Sequence, residues 1–168
     1  MNFKIVIVSL VLFSSLFALE LKDIQEMCGK VLPGTVKVAE MKYKESVYYA
    51  AYDDSDKLTG NIFVATVKGY HGPIRIIAGF DKEGKVVNYL LNHNETKEYF
   101  DLIKKSDFKD RCKGKTKEEL SMKSADNKKG KIDGVTGATV TCQAIVDGLK
   151  EAAELFEKTQ KKESAAVK

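Results

Sequence analysis

The fold is decided by residues 73–91, which read PIRIIAGFDKEGKVVNYLL. Two apolar runs rich in β-branched and aromatic side chains, Pro73–Phe80 and Val86–Leu91, flank a short polar segment that contains Gly84. Runs of this composition form strands, and a short polar loop with a glycine at a position of positive φ joins two strands into a hairpin. The stretch therefore predicts two neighbouring antiparallel strands.

Two further strands are predicted upstream, at Ser46–Tyr52 and Asn61–Lys68. The polar turn Asp53–Asp56 lies between them. Its acidic residues resemble a calcium loop, but the glycine and the final glutamate of such a loop are missing, so the sequence favours a plain turn. Consecutive strands joined by short turns predict an antiparallel or mixed sheet rather than βαβ repeats.

Helical periodicity appears on both sides of the strands. Apolar side chains recur at helical spacing from Leu21 to Val31, and a longer amphipathic pattern runs from Cys142 to Lys158. Two shorter helices are predicted at Glu98–Lys105 and Phe108–Cys112. The predicted fold class is therefore α+β, with an antiparallel or mixed sheet and covering helices.

The first residues are interpreted as a targeting segment. Lys4 precedes an apolar run, residues 5–19, which serines interrupt. A spanning helix needs about 20 apolar residues, so the run fits a signal peptide, with an uncleaved membrane anchor or a buried helix of a cytoplasmic fold as alternatives. We expect an exported protein with a signal peptide or anchor at 1–19, a single domain at 20–158 and a polar tail at 159–168.

The charge pattern gives little support to nucleic-acid binding. The 168 residues carry a net charge of +4, and lysines cluster between Lys113 and Lys129. No aromatic residue is interleaved with them, and no nucleic-acid fold signature accompanies them. A solvated basic loop is favoured, and an acidic redox partner or membrane surface remains an alternative. No nucleic-acid partner is expected.

No metal site is predicted. The three cysteines match no CxxC pattern, and His71 and His93 lack the spacing of a zinc pair. Outside the cytoplasm a disulfide is permitted. Cys28 with Cys112 is the predicted pair, since Cys142 lies inside the motif described next.

A glycine-rich motif, DGVTGATVT at residues 133–141, stands directly before the last predicted helix. Gly134, Gly137 and Ala138 leave the backbone bare, so a bulky group can approach it closely. The motif is neither a Walker A loop nor GxGxxG, because no Gly-Lys-Ser/Thr follows and the glycine spacing differs.

The same motif carries hydroxyl groups on Thr136, Thr139 and Thr141. Thr139 or Thr141 is the predicted helix N-cap, and the free N–H groups of a helix start favour anions, phosphate above all. The motif therefore predicts a phosphate held beside hydroxyls that can form an ester with it. A capped helix start without any ligand is the alternative.

This motif looks like the flavinylation motif of the FMN-binding domain family, which includes the FMN-carrying subunits of the Rnf complex and of the sodium-translocating NADH:quinone reductase. In that family the threonine that ends Ser/Thr-Gly-Ala-Thr is esterified to the phosphate of FMN by a flavin transferase that uses FAD. The resemblance implies that Thr139 carries covalent FMN and that Asp133 is the acidic residue read by the transferase. The other residues of the implied cofactor site are Gly134, Thr136, Gly137, Ala138, Val140 and Thr141.

Three further segments agree with the family in order and spacing. They are GYHGPI at 69–74, the hairpin turn at 81–86 and HNET at 93–96. Through them the resemblance adds Tyr70, Glu95 and Thr96 to the implied cofactor site.

The roles of two of these residues stay open, and two positions depart from the family. Tyr70 is a ring contact or a core residue, and Glu95 is a proton acceptor near the flavin or a solvated turn carboxylate. After HNET the chain continues Lys97–Phe100 instead of Pro-Gly-Leu-Gly, in a loop that lies near the flavin in the family. Cys142 stands where serine is usual.

The resemblance implies an electron-transfer flavoprotein in the periplasm or on the outer face of the cytoplasmic membrane. It implies a carrier rather than a stand-alone catalyst, and no catalytic residue is assigned. The implied partners are a flavin transferase and a redox partner protein or membrane electron-transfer complex. The alternatives are a flavin-bearing component of an extracytoplasmic reductase, and a non-redox exported binding module whose motif is only a helix cap.

Overall fold

A computed structural model of the chain describes residues 21–93, 95–124 and 127–166. The predicted leader at 1–19 lies outside these ranges, as does the end of the predicted tail. The elements in chain order are helix α1 (Leu21–Val31), strands β1 (Lys37–Tyr43), β2 (Ser46–Tyr52), β3 (Leu58–Lys68), β4 (Pro73–Phe80) and β5 (Val86–His93), and helices α2 (Lys97–Lys105), α3 (Phe108–Cys112) and α4 (Thr139–Ala166).

The five strands form one antiparallel sheet in the order β1-β2-β3-β4-β5, so each strand pairs with its neighbour along the chain. The predicted hairpin is confirmed, with Ile76 of β4 opposite Leu91 of β5. Within the described ranges, the parallel pairing of Met122 with Ile132 is an isolated bridge outside the sheet. The α+β prediction is confirmed, and its sheet is antiparallel rather than mixed.

Strand β1 escapes prediction from the sequence. It is an edge strand, and Val38 is its one buried side chain. The turn that joins it to β2 holds Lys44 at a φ of 51°, without the glycine or asparagine that normally marks such a turn. A strand with neither alternating apolar residues nor a recognisable turn leaves no pattern to detect.

Helix α4 is longer at both ends than its predicted range, Cys142–Lys158. It begins inside the motif and takes in much of the predicted polar tail. Thr159 in that tail is buried, and its hydroxyl donates to the Phe156 carbonyl at 2.7 Å. Helix-favouring Lys, Gln and Glu residues then continue the helix. None of the helices in the part of the chain that the structure describes is long and apolar enough to cross a membrane.

Helices cover both faces of the sheet. On one face α4 packs across β3 and β4, and Phe156 contacts Phe63 edge-on and Phe80 in a stacked geometry. On the other face α1 buries Ile24 and Val31 against the sheet. Such aromatic and aliphatic burial is the main stabilising term in a domain of this size.

The predicted Cys28–Cys112 disulfide is wrong. Cys28 lies in the apolar cluster under α1, whereas Cys112 and Cys142 lie in the cluster under α4, on the opposite face of the sheet. All three cysteines are buried thiols. Burial raises the pKa of each, that of Cys112 to about 11 from the ordinary 9.0.

These buried thiols make stability fall as the pH rises above about 9. The unfolded chain loses its thiol protons first, so the stabilisation is fully present below the ordinary pKa of 9.0 and is lost toward about pH 11. When urea unfolding is measured between these pH values, the free energy of unfolding should fall less steeply with pH in Cys112→Ala, by up to about 1.4 kcal/mol per pH unit.

Met122→Ala is the matched control, because it also removes a buried side chain of the same cluster but carries no titrating group. It should lower the free energy of unfolding equally at every pH. An unchanged slope in Cys112→Ala contradicts the assignment.

Candidate functional site

The motif at residues 133–141 folds as a tight turn that leads directly into α4. The Ala138 N–H donates to the Val135 carbonyl at 3.0 Å and closes the turn. Gly137 has a φ of 83°, which fits the third position of a type II turn and which side chains other than glycine rarely adopt. The glycine is therefore required by the backbone itself.

Ala138, and not a threonine, is the N-cap of α4. Its carbonyl accepts the first helical hydrogen bond from the Cys142 N–H at 2.9 Å, and Thr139 is the first helical residue. The predicted cap, Thr139 or Thr141, is wrong because Thr139 lies inside the helix and the Thr141 hydroxyl donates to Glu95. Alanine has no side-chain acceptor, so it leaves the N–H groups of the first turn unsatisfied.

The first turn of α4 offers donors to an anion. The N–H groups of Thr139, Val140 and Thr141 have no acceptor inside the helix, and the aligned peptides of 28 residues add a partial positive charge there. The Thr139 side chain is exposed. This turn can therefore hold a phosphate while presenting a hydroxyl beside it.

A cavity of about 290 Å³ opens beside the turn. Tyr70 and Tyr99 form one side, and residues 137–141 form the other. Tyr70 and Val140 are 57% and 55% exposed although both are largely apolar. Apolar and aromatic surface left open around a cavity that also offers polar donors is typical of a ligand site.

Three rings support the aromatic wall of the cavity. The His71 ring meets the Tyr70 ring edge-on at 4.6 Å and stacks with the Tyr99 ring at 5.9 Å. Tyr70 and Tyr99 also meet edge-on at 5.7 Å. Tyr99 lies on α2, in the segment where the family resemblance breaks off, and its place three residues after the end of HNET is the sequence signal for it.

Glu95 is buried, at 7% exposure, so the expectation of a solvated turn carboxylate is wrong. Its Oε1 atom accepts hydrogen bonds from the backbone N–H groups of His71 at 3.0 Å and Gly72 at 3.3 Å. Its Oε2 atom accepts one from the Thr141 hydroxyl at 3.1 Å. The carboxylate therefore lies behind the cavity and joins its two sides.

Arg111 of α3 holds the segment that leads into the turn. Its guanidinium donates to the carbonyls of Asp133 at 2.8 Å and Gly134 at 3.3 Å. It also pairs with Asp107, and the hydrogen bond from Arg111 lowers the pKa of that carboxyl group. Sequence reasoning missed Arg111, because a single arginine in a short helix carries no pattern.

The remaining predicted residues lie outside the cavity lining. The exposed Asp133 carboxylate forms an ion pair with Lys123 at 3.0 Å. Thr136 is exposed in the turn, and Thr96 is exposed at the start of α2 without capping it through its side chain. Among the residues that the structure describes, no group of three or more potential metal ligands occurs.

Several lysines of the lysine-rich loop form ion pairs with nearby carboxylates. Lys113 pairs with Asp110 at 2.7 Å, and Lys117 pairs with Glu157 at 2.5 Å. Together with the Lys123–Asp133 pair, these contacts lower the positive potential that a polyanion would meet.

The comparisons with known proteins point to the same region. A family model described as FMN-binding domain matches residues 69–154. This range includes the loop that carries Tyr70, the Glu95 carboxylate, Tyr99 and the whole motif before α4.

Two relatives match this chain over a longer stretch than the family model does. A subunit of the proton-translocating ferredoxin:NAD(+) oxidoreductase complex from Clostridium ljungdahlii is 32% identical over 108 residues, which are 64% of this chain and 58% of the relative. A subunit of the ion-translocating oxidoreductase complex from Shewanella piezotolerans is 35% identical over 119 residues, which are 68% of this chain and 56% of the relative. The chain thus spans little more than half the length of these curated relatives.

Among solved structures, the crystal structure of Shewanella oneidensis NqrC is similar over 70% of this chain and 64% of that chain. The TM-score is 0.49 and the sequence identity is 16%.

Replacing Gly137 tests the turn. Gly137→Ala forces a side chain onto a φ of 83° and places a Cβ atom 3.2 Å from Leu102 Cδ1. We expect the free energy of unfolding to fall by about 1–2 kcal/mol, measured by urea denaturation.

Gly114→Ala is the matched control, with a φ of 72° and no neighbouring atom within 4 Å of the added Cβ. It should lose a similar amount, and any excess loss in Gly137→Ala measures crowding against Leu102. Full stability in Gly137→Ala contradicts the turn geometry.

Proposed function

This chain belongs to the FMN-binding domain family, and we propose that it carries FMN as a covalent phosphoester on Thr139 and passes electrons through it outside the cytoplasm. The observation that carries the proposal is the position of Thr139. It is the first residue of a long helix, its hydroxyl side chain is exposed, and an aromatic-walled cavity opens beside it.

The residues present fit both ends of FMN. The unsatisfied N–H groups of Thr139, Val140 and Thr141 suit a phosphate, because the alanine at the N-cap has no side-chain acceptor that would compete for them. The rings of Tyr70 and Tyr99 and the exposed Val140 side chain suit a flat apolar ring system. When bound, FMN supplies the redox chemistry, and the protein supplies its position and its surroundings.

Attachment requires a donor of FMN and an enzyme that reaches the turn. In the proposed step the Thr139 hydroxyl oxygen attacks the FMN-side phosphorus of FAD, the pyrophosphate bond breaks, AMP leaves and the hydroxyl proton is lost to solvent. No electron is transferred in this step. The exposure of Thr139 allows a flavin transferase to reach it, and the helix N-terminus favours the negative charge that remains on the phosphodiester.

The proposed partners follow from the relatives, which are named as subunits of ion-translocating or proton-translocating oxidoreductase complexes. We infer that this chain exchanges electrons with a redox partner protein or a membrane complex of that kind. The open, apolar mouth of the cavity would leave a bound ring accessible to such a partner. Electron transfer between two proteins requires that kind of access.

We infer that the motif does more than cap a helix. Its interpretation as a cap alone requires a threonine at the N-cap, whereas Ala138 holds that position. The Thr139 hydroxyl is therefore free for another use, and this weighs against a non-redox binding module.

Mass spectrometry of the exported protein tests the attachment site. Coexpression with a flavin transferase should add the mass of one FMN less one water, and Thr139→Ala should abolish this increment because no hydroxyl remains. Ser55→Ala removes an exposed hydroxyl outside the motif and should keep the increment. Wild-type protein without the added mass, or Thr139→Ala with it, overturns the proposal.

Protease treatment of spheroplasts tests the location. A protein on the outer face of the membrane should be digested by added protease, while a cytoplasmic marker stays intact. Deletion of residues 2–19 should make the same chain resistant and leave it without FMN if the transferase acts outside the cytoplasm. Resistance of the full chain in spheroplasts contradicts export.

A further inference from the structure

We propose that Glu95 is a positioning residue whose buried carboxylate clamps the loop bearing Tyr70 to the first turn of α4, and so sets the geometry and the charge of the flavin site. The effect on the flavin rests on the proposed function, whereas the clamp is a property of the protein alone. Glu95 does not line the cavity, so it acts through the residues that do.

The clamp has two ends. On one side Oε1 accepts hydrogen bonds from the His71 and Gly72 N–H groups, in the loop that follows β3. On the other side Oε2 accepts a hydrogen bond from the hydroxyl of Thr141, which lies two residues after Thr139 in α4. The two carboxylate oxygens thus connect segments that are far apart in sequence and that face each other across the cavity.

The loop is shaped around this carboxylate. The Gly69 N–H donates to the Gly72 carbonyl at 2.7 Å, which curls the loop so that the next amides point at Glu95. A Cβ atom at Gly69 would lie 2.2 Å from Glu95 Oε1 and 2.7 Å from Ile74 Cδ1. A side chain at position 69 would therefore have to displace the Glu95 carboxylate from its position.

Tyr70 lies between Gly69 and Gly72, which bound this curled loop. Because Gly69 and His71 are both fixed by the contacts around Glu95, the Tyr70 backbone has little freedom, although its side chain is 57% exposed. A largely exposed ring can keep a defined position only if its backbone is held. The clamp supplies that restraint.

The carboxylate is balanced by dipoles rather than by a countercharge. All three of its described contacts are donors, as the ionised form requires. Among the described residues, no basic side chain lies within 4 Å of it. A buried negative charge directly behind the cavity disfavours the extra negative charge of a reduced flavin. Glu95 therefore lowers the reduction potential of a bound flavin and also fixes the side of the cavity that Tyr70 forms.

Amide hydrogen exchange in the protein without flavin tests the clamp directly. Glu95→Gln has nearly the same shape but loses the charge, and the His71 and Gly72 amides should exchange at least about tenfold faster, because hydrogen bonds to charged groups are the stronger ones. Glu98→Gln, an exposed glutamate on α2, is the matched control and should leave both amides unchanged. Unchanged exchange at His71 and Gly72 in Glu95→Gln overturns the proposal.

The flavin-loaded protein provides the second readout, which a merely structural role does not move. Glu95→Gln should shift the midpoint potential to a more positive value and change the visible circular dichroism of the flavin. Thr141→Val removes the hydroxyl that donates to Glu95 and should change the dichroism. Thr141→Ser keeps a hydroxyl and should show the wild-type dichroism. A wild-type potential in Glu95→Gln, or wild-type dichroism in Thr141→Val, contradicts the positioning role.

Failure of this proposal and failure of flavin attachment are distinguishable. If the wild-type chain never acquires FMN, the proposed function fails, while exchange at His71 and Gly72 still decides the clamp. If FMN is attached and the amides are unaffected by Glu95→Gln, the clamp fails and the proposed function stands.

Discussion

The packing of Phe156 against Phe63 and Phe80 fixes α4 on the sheet, and the candidate site depends on that contact. A helix rises 1.5 Å per residue, so Thr139 lies about 25 Å from this anchor along one rigid element. The course of α4 is therefore set by burial elsewhere in the molecule, and the Glu95 carboxylate joins its first turn to the Tyr70 loop. Exposed residues at the site need no packing of their own, which leaves them available to a ligand.

In the first turn of α4, the residues that pack against the core are different from those that face the cavity and solvent. Ala138, Thr141 and Cys142 are buried, whereas Thr139 and Val140, between them, are exposed. The helical repeat produces this division, since residues on one side of the first turn face the core and the others face solvent. The attachment proposed for the Thr139 hydroxyl requires that it lie on the outer side. The buried neighbours keep it in place from the inner side.

The sequence predicts those features that repeat along the chain. The β4–β5 hairpin and the core-facing side of α4 are predictable because apolar residues recur at the periods of a strand and a helix. The turn before α4 is predictable because its glycines mark it, although its cap falls on Ala138 rather than on a threonine. Glu95, Arg111 and Tyr99 cannot be placed in the same way, since each acts through a partner distant in sequence. The separation of Cys28 from Cys112 likewise depends on which face of the sheet each occupies, and no local pattern records that.

The neighbour-to-neighbour pairing of the strands bears on the order in which the molecule is assembled. Each hairpin closes only a short loop, so little chain entropy opposes the formation of the sheet, and folds rich in local contacts form quickly. Helix α4 must instead come from the far end of the chain and dock across β3 and β4. We expect the turn that presents Thr139 to reach its final shape at this late step. Under the proposed attachment, a group joined to Thr139 would mark chains in which this turn has formed.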